Sequence, residues 1–211
     1  VLYQFHGGTM AGPALADILM GYDCPSGRLP VTMPRMVGQV PMYYNIKNTG
    51  RPAENIVMMD DIEVGAGQFS LGATSYHLDA GSEPLFPFGF GLSYAQFRYS
   101  TPTLSSNEMN MNSTITVSCN ITNISKIDAY ETVQLYIRDH VGSLCRPIRE
   151  LKDFKKILIK AGETQTVSFE IDADMLAFCH NDMKSYAETG YFSLWVAPNA
   201  KSGEEIRFIL K

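Results

Sequence analysis

The chain has 211 residues, of which 45% are hydrophobic and 18% charged, and its formal net charge is −5. This composition supplies a core for one large domain or two small ones, and the mild acidity gives no reason to expect nucleic acid or an anionic membrane as partner. No apolar run approaches the ~20 residues of a membrane-crossing helix, and no secretion leader is visible.

The chain opens without a Met, in the apolar run Val1–Phe5. That run reads as the interior of a strand, so upstream sequence, with any leader, is expected. His6-Gly7-Gly8 then makes a turn, and residues 10–21 form a helix capped by Thr9, with Pro13 in its first turn and Gly21 as its stop. Leu15, Ile18 and Leu19 share one helical face. One strand and one helix are half of an α/β repeat and cannot cover both faces of a sheet. The segment is therefore expected to pack on the rest of the chain or on a second copy.

From Cys24 to about Tyr94 the chain is rich in Gly, Pro and aromatic residues and lacks periodicity. Such long irregular stretches are often functional or wrapped over another domain. From Phe97 onward short alternating patterns take over: Ile115, Val117, Cys119 and Ile121; Val133, Leu135 and Ile137; Val167, Phe169 and Ile171; Phe192, Leu194 and Val196; Ile206, Phe208 and Leu210. This is the period of half-buried antiparallel strands. Lys160-Ala161-Gly162-Glu163 reads as a hairpin turn. With strands near Phe97–Tyr99 and Phe154–Ile159, about seven strands are expected, as in an immunoglobulin or fibronectin type III-like β-sandwich. The fold class is thus mainly β: such a sandwich over 97–211, preceded by a partial α/β segment over 1–45 and an irregular connector over 46–96.

Five segments in order carry a resemblance: Gly12–Gly21 with Pro25–Pro34; Gly38–Asn45 with Asn48–Pro52; Pro84–Tyr94; Val133–Asp139; and Arg146–Phe154. Together they resemble the C-terminal part of the family 3 glycoside hydrolases, from the end of the α/β-sandwich domain through the fibronectin-like domain. Ala95 and Asp153 depart from the family's usual Thr and Gly. The resemblance implies a bacterial-type β-glucosidase that hydrolyses β-glycosidic bonds with retention, using two carboxylates. It places both carboxylates upstream of Val1, so no catalytic residue is expected here. It implies no cofactor, a β-glucoside or oligosaccharide substrate, upstream barrel and α/β domains as partners, and a periplasmic or secreted location.

Several residues invite a sharper reading. His6 follows the first strand, where α/β domains bind ligands, and is a candidate for the substrate rim beside Tyr76 and His77. Tyr43, Tyr44, Phe69, Tyr76 and His77 could present faces to pyranose rings or simply pin the connector to a surface. Asp60, Asp61 and Glu63 lack the EF-hand spacing and read as a solvated loop. Asp139, His140 and Ser143 hint at a triad but lack a nucleophile elbow, and read as a strand end and turn. Cys179-His180 is an isolated pair and reads as a loop; no metal site is expected. Cys24, Cys119, Cys145 and Cys179 form no CxxC pair; Cys119 reads as a core residue, and spacing leaves disulfide pairing open. Asn112, Asn120 and Asn123 begin glycosylation sequons, the last two overlapping a strand.

Two functions remain at this point. The chain is either the scaffold and rim of a longer glycosidase, or an autonomous carbohydrate- or protein-binding module. A module should expose a row of aromatics on the sandwich, whereas a scaffold should expose apolar surface where other domains dock. Trp195, the only Trp, lies inside an apolar strand, which favours the scaffold.

Overall fold

The computed structural model describes residues 1–53, 56–67 and 76–211. Phe69, one of the candidate rim aromatics, lies outside the described residues.

The first element is helix α1 (Ala11–Met20). Gly21 adopts the left-handed conformation at φ 76°, its N–H bonds Ile18 O at 3.1 Å, and the Tyr22 N–H bonds Asp17 O at 2.8 Å. This paired closure satisfies the last carbonyls and needs a residue without a Cβ cost. The start differs from expectation: Met10, not Thr9, occupies the cap position, with no side-chain hydrogen bond. Val1–Phe5 forms no strand, because no neighbouring strand offers it partners. Nor does α1 pack on the sandwich. Leu15 and Ile18 are half-buried, Leu19 is 67% exposed, and no residue of α1 is buried. The helix is tied instead by the Tyr94 hydroxyl, which donates to Ile18 O at 2.7 Å.

The sandwich contains the seven expected strands: β1 (Phe97–Tyr99), β4 (Ile115–Asn123), β5 (Ala129–Asp139), β6 (Glu150–Ile159), β7 (Thr164–Ile171), β10 (Gly190–Ala197) and β11 (Ile206–Leu210). Four two-residue strands join them: β2 (Thr103–Leu104), β3 (Glu108–Met109), β8 (Phe178–Cys179) and β9 (Ser185–Tyr186). Strand β4 pairs with β1, β2 and β7 in one sheet; the second sheet runs β3-β11-β10-β5-β6. Pairing is antiparallel except between β3 and β11, so the sandwich is not wholly antiparallel. The β8–β9 hairpin stands apart as a third small sheet, and Cys179 is therefore on a strand rather than a loop.

Alternation does the packing. Val117, Cys119, Leu135, Ile137, Val167, Phe169, Leu194 and Val196 are all buried between the sheets. Gly162 turns the β6–β7 hairpin at φ 73°. Asn123 is fully buried: its amide donates to Ile127 O at 2.8 Å and Ile159 O at 2.9 Å, which withdraws it from glycosylation. All four cysteines are free, and Cys119 is a core residue as expected.

A second cluster lies on the outer face of the five-stranded sheet: Tyr136, Trp195, Ala197 and Ala200, with Tyr44, Phe88 and Leu151 around them. The connector reaches this face in two paired stretches. Leu29 N bonds Phe90 O at 2.8 Å, Gly89 N bonds Leu29 O at 2.8 Å, and Met33 N bonds Phe86 O at 2.9 Å. Tyr44 stacks on Phe88 with ring centroids 4.1 Å apart, and its hydroxyl accepts from Leu151 N. Arg149 lies 4.0 Å over the Trp195 ring and donates to Ala200 O and Ser202 O; burial pushes its guanidinium down to about 10. Beside this, Arg28 reaches Glu131 at 2.5 Å, and the Tyr99 hydroxyl donates to the same carboxylate at 2.7 Å.

Candidate functional site

The described connector borders an open cleft of roughly 340 Å³, lined by Gln39, Met42, Tyr76, His77, Gly81 and Ser82. Its floor is fixed by Gln39, which ends a short 3-10 turn and is 4% exposed. The Gln39 Oε1 accepts from Arg35 N at 2.7 Å, and Nε2 donates to Gly81 O at 3.3 Å. One side chain thus joins the two stretches that form the walls. The opposite wall is a tight turn in which Gly81 N bonds His77 O at 2.6 Å. Gly81 sits at φ 68°, a left-handed conformation that glycine adopts without strain.

Two of the three candidate rim residues come together here. The Tyr76 hydroxyl donates to Val57 O and accepts from Val57 N, both at 3.1 Å. Those contacts occupy the hydroxyl, leaving only the ring for the cleft. His77 is exposed at the cleft wall. His6 is exposed on the segment before α1 and does not line the cleft. Tyr44 is taken by the stack on Phe88, which makes it an anchor of the connector. Tyr43 is 64% exposed and does not line the cleft either.

The groups that line the cleft can form hydrogen bonds and stack. They comprise an imidazole, a hydroxyl, an amide held by the backbone, a thioether and an aromatic ring. Two carboxyl groups about 5–10 Å apart are what glycosidic cleavage needs. Among the described residues, no carboxylate lines this cleft.

The remaining candidates resolve into other arrangements. His140 Nε2 meets the Ser193 hydroxyl at 2.7 Å, and Ser193 donates to Glu205 Oε1 at 2.7 Å. Ser193 is fully buried and the carboxylate touches the serine rather than the histidine, so no nucleophile is generated. Burial, with Arg138 and Arg207 adding to it, lowers the His140 pKa. Ser143 pairs instead with His180 Nδ1 at 3.3 Å, while His180 Nε2 faces Tyr186 O at 3.1 Å. The Ser143 N–H, which an oxyanion would need, is bound by Glu188 Oε2 at 2.7 Å. Hydrogen bonding from Ser143, its side chain first and its N–H second, lowers the Glu188 pKa. Burial raises the Asp139 pKa, and Asp139 closes β5. Asp60 and Asp61 end in an exposed 3-10 turn. Among the described residues, no three His, Cys, Asp or Glu side chains converge as metal ligands.

Sequence reasoning missed Gln39 and Ser82. Gln39 lies in the resemblance segment Gly38–Asn45, but only the tertiary contact to Gly81 reveals its role.

Comparison with known proteins places this geometry. Residues 1–94 match the glycosyl hydrolase family 3 C-terminal domain, and residues 131–200 match a fibronectin type III-like domain. A periplasmic β-glucosidase of Salmonella typhimurium is 40% identical over 196 residues, covering 93% of this chain and 24% of that protein. A β-xylosidase of Formosa agariphila is 39% identical over 204 residues, covering 97% of this chain and 26% of that protein. The crystal structure of a β-glucosidase from Listeria innocua in complex with isofagomine superposes with a TM-score of 0.82 at 34% identity, covering 96% of this chain and 27% of that one. The chain spans about a quarter of the length of the relatives it matches.

Proposed function

Because the chain belongs to the family 3 glycoside hydrolases, whose C-terminal region it matches, we propose that it is the scaffold and substrate rim of a longer retaining β-glycosidase. The observation that carries this reading is the cleft: its described lining has the size and groups to touch a sugar, yet no carboxylate among the described residues is placed there to break a glycosidic bond. Tyr76 and His77 are the rim contacts in this reading, and the chain divides into 1–45, 46–96 and 97–211. In this reading the nucleophilic Asp lies on an upstream barrel and the acid/base residue on an earlier part of the α/β domain, both in sequence outside this chain.

Exposed apolar surface supports the scaffold over a free binding module. Leu2, Tyr3, Phe5, Met10, Leu19 and Met20 are each between 46% and 68% exposed on and before α1. Such a patch fits a surface that meets other domains, and His6 lies on it. A β-glucosidase and a β-xylosidase are nearly equally similar to this chain, which supports assigning the choice of sugar elsewhere. The location extended to this chain is the periplasm or the exterior, after the periplasmic relative.

The test uses aryl β-glucoside and aryl β-xyloside substrates. This chain alone should give no turnover above a mock preparation, whereas a longer protein in which barrel and α/β domains precede it should hydrolyse at least one. Turnover by the chain alone, or none by the longer protein, refutes the proposal.

A further inference from the structure

The β8–β9 hairpin carries an aromatic arrangement that neither the cleft nor the scaffold role uses. Four side chains stack in order. The Arg146 guanidinium lies 4.1 Å from the Phe178 ring centroid, Phe178 lies 4.1 Å from His180, and His180 lies 3.6 Å from Tyr186 with an interplanar angle of 4°. Phe178 and His180 are 5% and 6% exposed, but Tyr186 is 46% exposed. The stack therefore ends in a ring with its inner face covered and its body open to solvent.

A hairpin core alone does not require that last ring to be aromatic. Covering His180 asks only for an apolar side chain, whereas a flat ring held parallel to its support is pre-organised for a ligand. Little rotamer freedom remains to be lost on binding. Other large aromatics exposed on the sandwich lack such backing. Tyr191 and Phe154 are 65% and 60% exposed, and neither stacks on another ring among the described residues. Polar groups gather at the edge of the same stack: the Ser143 hydroxyl and Glu188 Oε1 lie 3.3 and 3.5 Å from His180 Nδ1. Those groups hold His180, and with it the Tyr186 ring, in place, and the electron-rich open face of Tyr186 matches the apolar C–H face of a pyranose.

We propose that the open face of Tyr186 is a stacking platform for a pyranose ring, a sugar-binding site on the sandwich built by the Arg146–Phe178–His180–Tyr186 stack. The choice of a β-glucan as its ligand rests on the glycosidase reading above; the platform itself does not.

Native gel electrophoresis of the full chain through soluble mixed-linkage β-glucan, with dextran as a second arm, tests this. Retardation is expected and should weaken by about three- to tenfold in Tyr186→Ala, the range an aromatic contact supplies. Tyr186→Phe should retain it. Tyr186→Leu keeps His180 covered but removes the flat ring, and should lose it with an unchanged melting temperature. Retardation by dextran alone would keep the platform and count against the β-glucoside preference. No retardation in either gel, or equal retardation of the parent and the Leu variant, would overturn the proposal.

Discussion

Replacing Gly89 by Ala should release the connector from the outer face of the sandwich. Gly89 has a φ of 77°, and a Cβ there would lie 2.1 Å from Gln134 Oε1 and 2.8 Å from the Tyr136 hydroxyl. Neither neighbour is free to move. Gln134 Nε2 donates to Pro198 O at 2.6 Å and to Gly89 O at 3.2 Å, and the Tyr136 hydroxyl donates to Gln134 Oε1 at 2.5 Å. A left-handed Ala costs about 1–2 kcal/mol. Displacing Gln134 forfeits these hydrogen bonds at about 1 kcal/mol each. The docked state should therefore lose about 4–5 kcal/mol from the sum of these two effects. Trp195 reports the event, because it is the only Trp and is 7% exposed in the cluster bordered by Tyr44 and Phe88. Acrylamide quenching should rise, and the fluorescence midpoint in urea should fall, while far-UV circular dichroism still records the sheets between Val117 and Phe169. A variant with the quenching and midpoint of the parent would show that Gly89 does not hold the connector down.

Two further substitutions probe the layers beneath. Leu135→Ala removes a fully buried side chain between the sheets and should cost about 2–5 kcal/mol in urea unfolding; a loss below 1 kcal/mol would mean the inner core is not packed as described. Arg28→Met leaves the Glu131 carboxylate, 2% exposed, without its cation, and should cost about 3–5 kcal/mol, with Glu131→Leu in the same chain restoring most of it. The pH dependence has a definite sign. Burial already pushes the Glu131 pKa above 4.5 while Arg28 and Tyr99 pull it back, so removing Arg28 raises it further. The folded state then binds the proton more tightly than the unfolded state, so the Arg28→Met variant should gain stability as the pH falls through that raised value towards the ordinary carboxylate range. A variant that loses stability over that interval would contradict the pairing.

Much of the sandwich was legible because its strands repeat their apolar inner face with period two, even in β10, whose outward Ser193 and Trp195 are buried as well. Each of β4, β7, β10 and β11 writes its inner face as every second residue, and a turn such as Lys160–Glu163 writes its own stop. The short strands were not legible. Two-residue pairings such as β3 with β11 depend on a neighbour about 100 residues away in sequence, and carry no period of their own. The Arg28–Glu131 contact spans 103 residues and is equally invisible locally. At the start of the chain the local signals misled. Val1–Phe5 has the apolar character of a strand, but a strand exists only through its partners. Thr9 is a good cap, yet the helix begins one residue after Met10. Of the site, Tyr76 and His77 could be named from residue type; Gln39 could not, because its role lies in the bond to Gly81.

The geometry of the cleft depends on the sandwich more than on α1. Its walls come from residues 39–42 and 76–82, and each wall leads directly into a stretch anchored on the five-stranded sheet. Tyr44 follows Met42 by two residues and is fixed by Phe88 and Leu151 N; Phe88 follows Ser82 by six and is bound through its carbonyl to Ala200 N. On the other side, α1 is joined through one hydroxyl, from Tyr94 to Ile18 O, and buries no residue. Anchors on both wall stretches, against one side-chain hydrogen bond from Tyr94 to the helix among the described residues, mean that the walls are set by the sandwich's outer face more than by α1. The fibronectin-like sandwich therefore fixes where the connector can stand, and the connector carries the side chains that line the cleft.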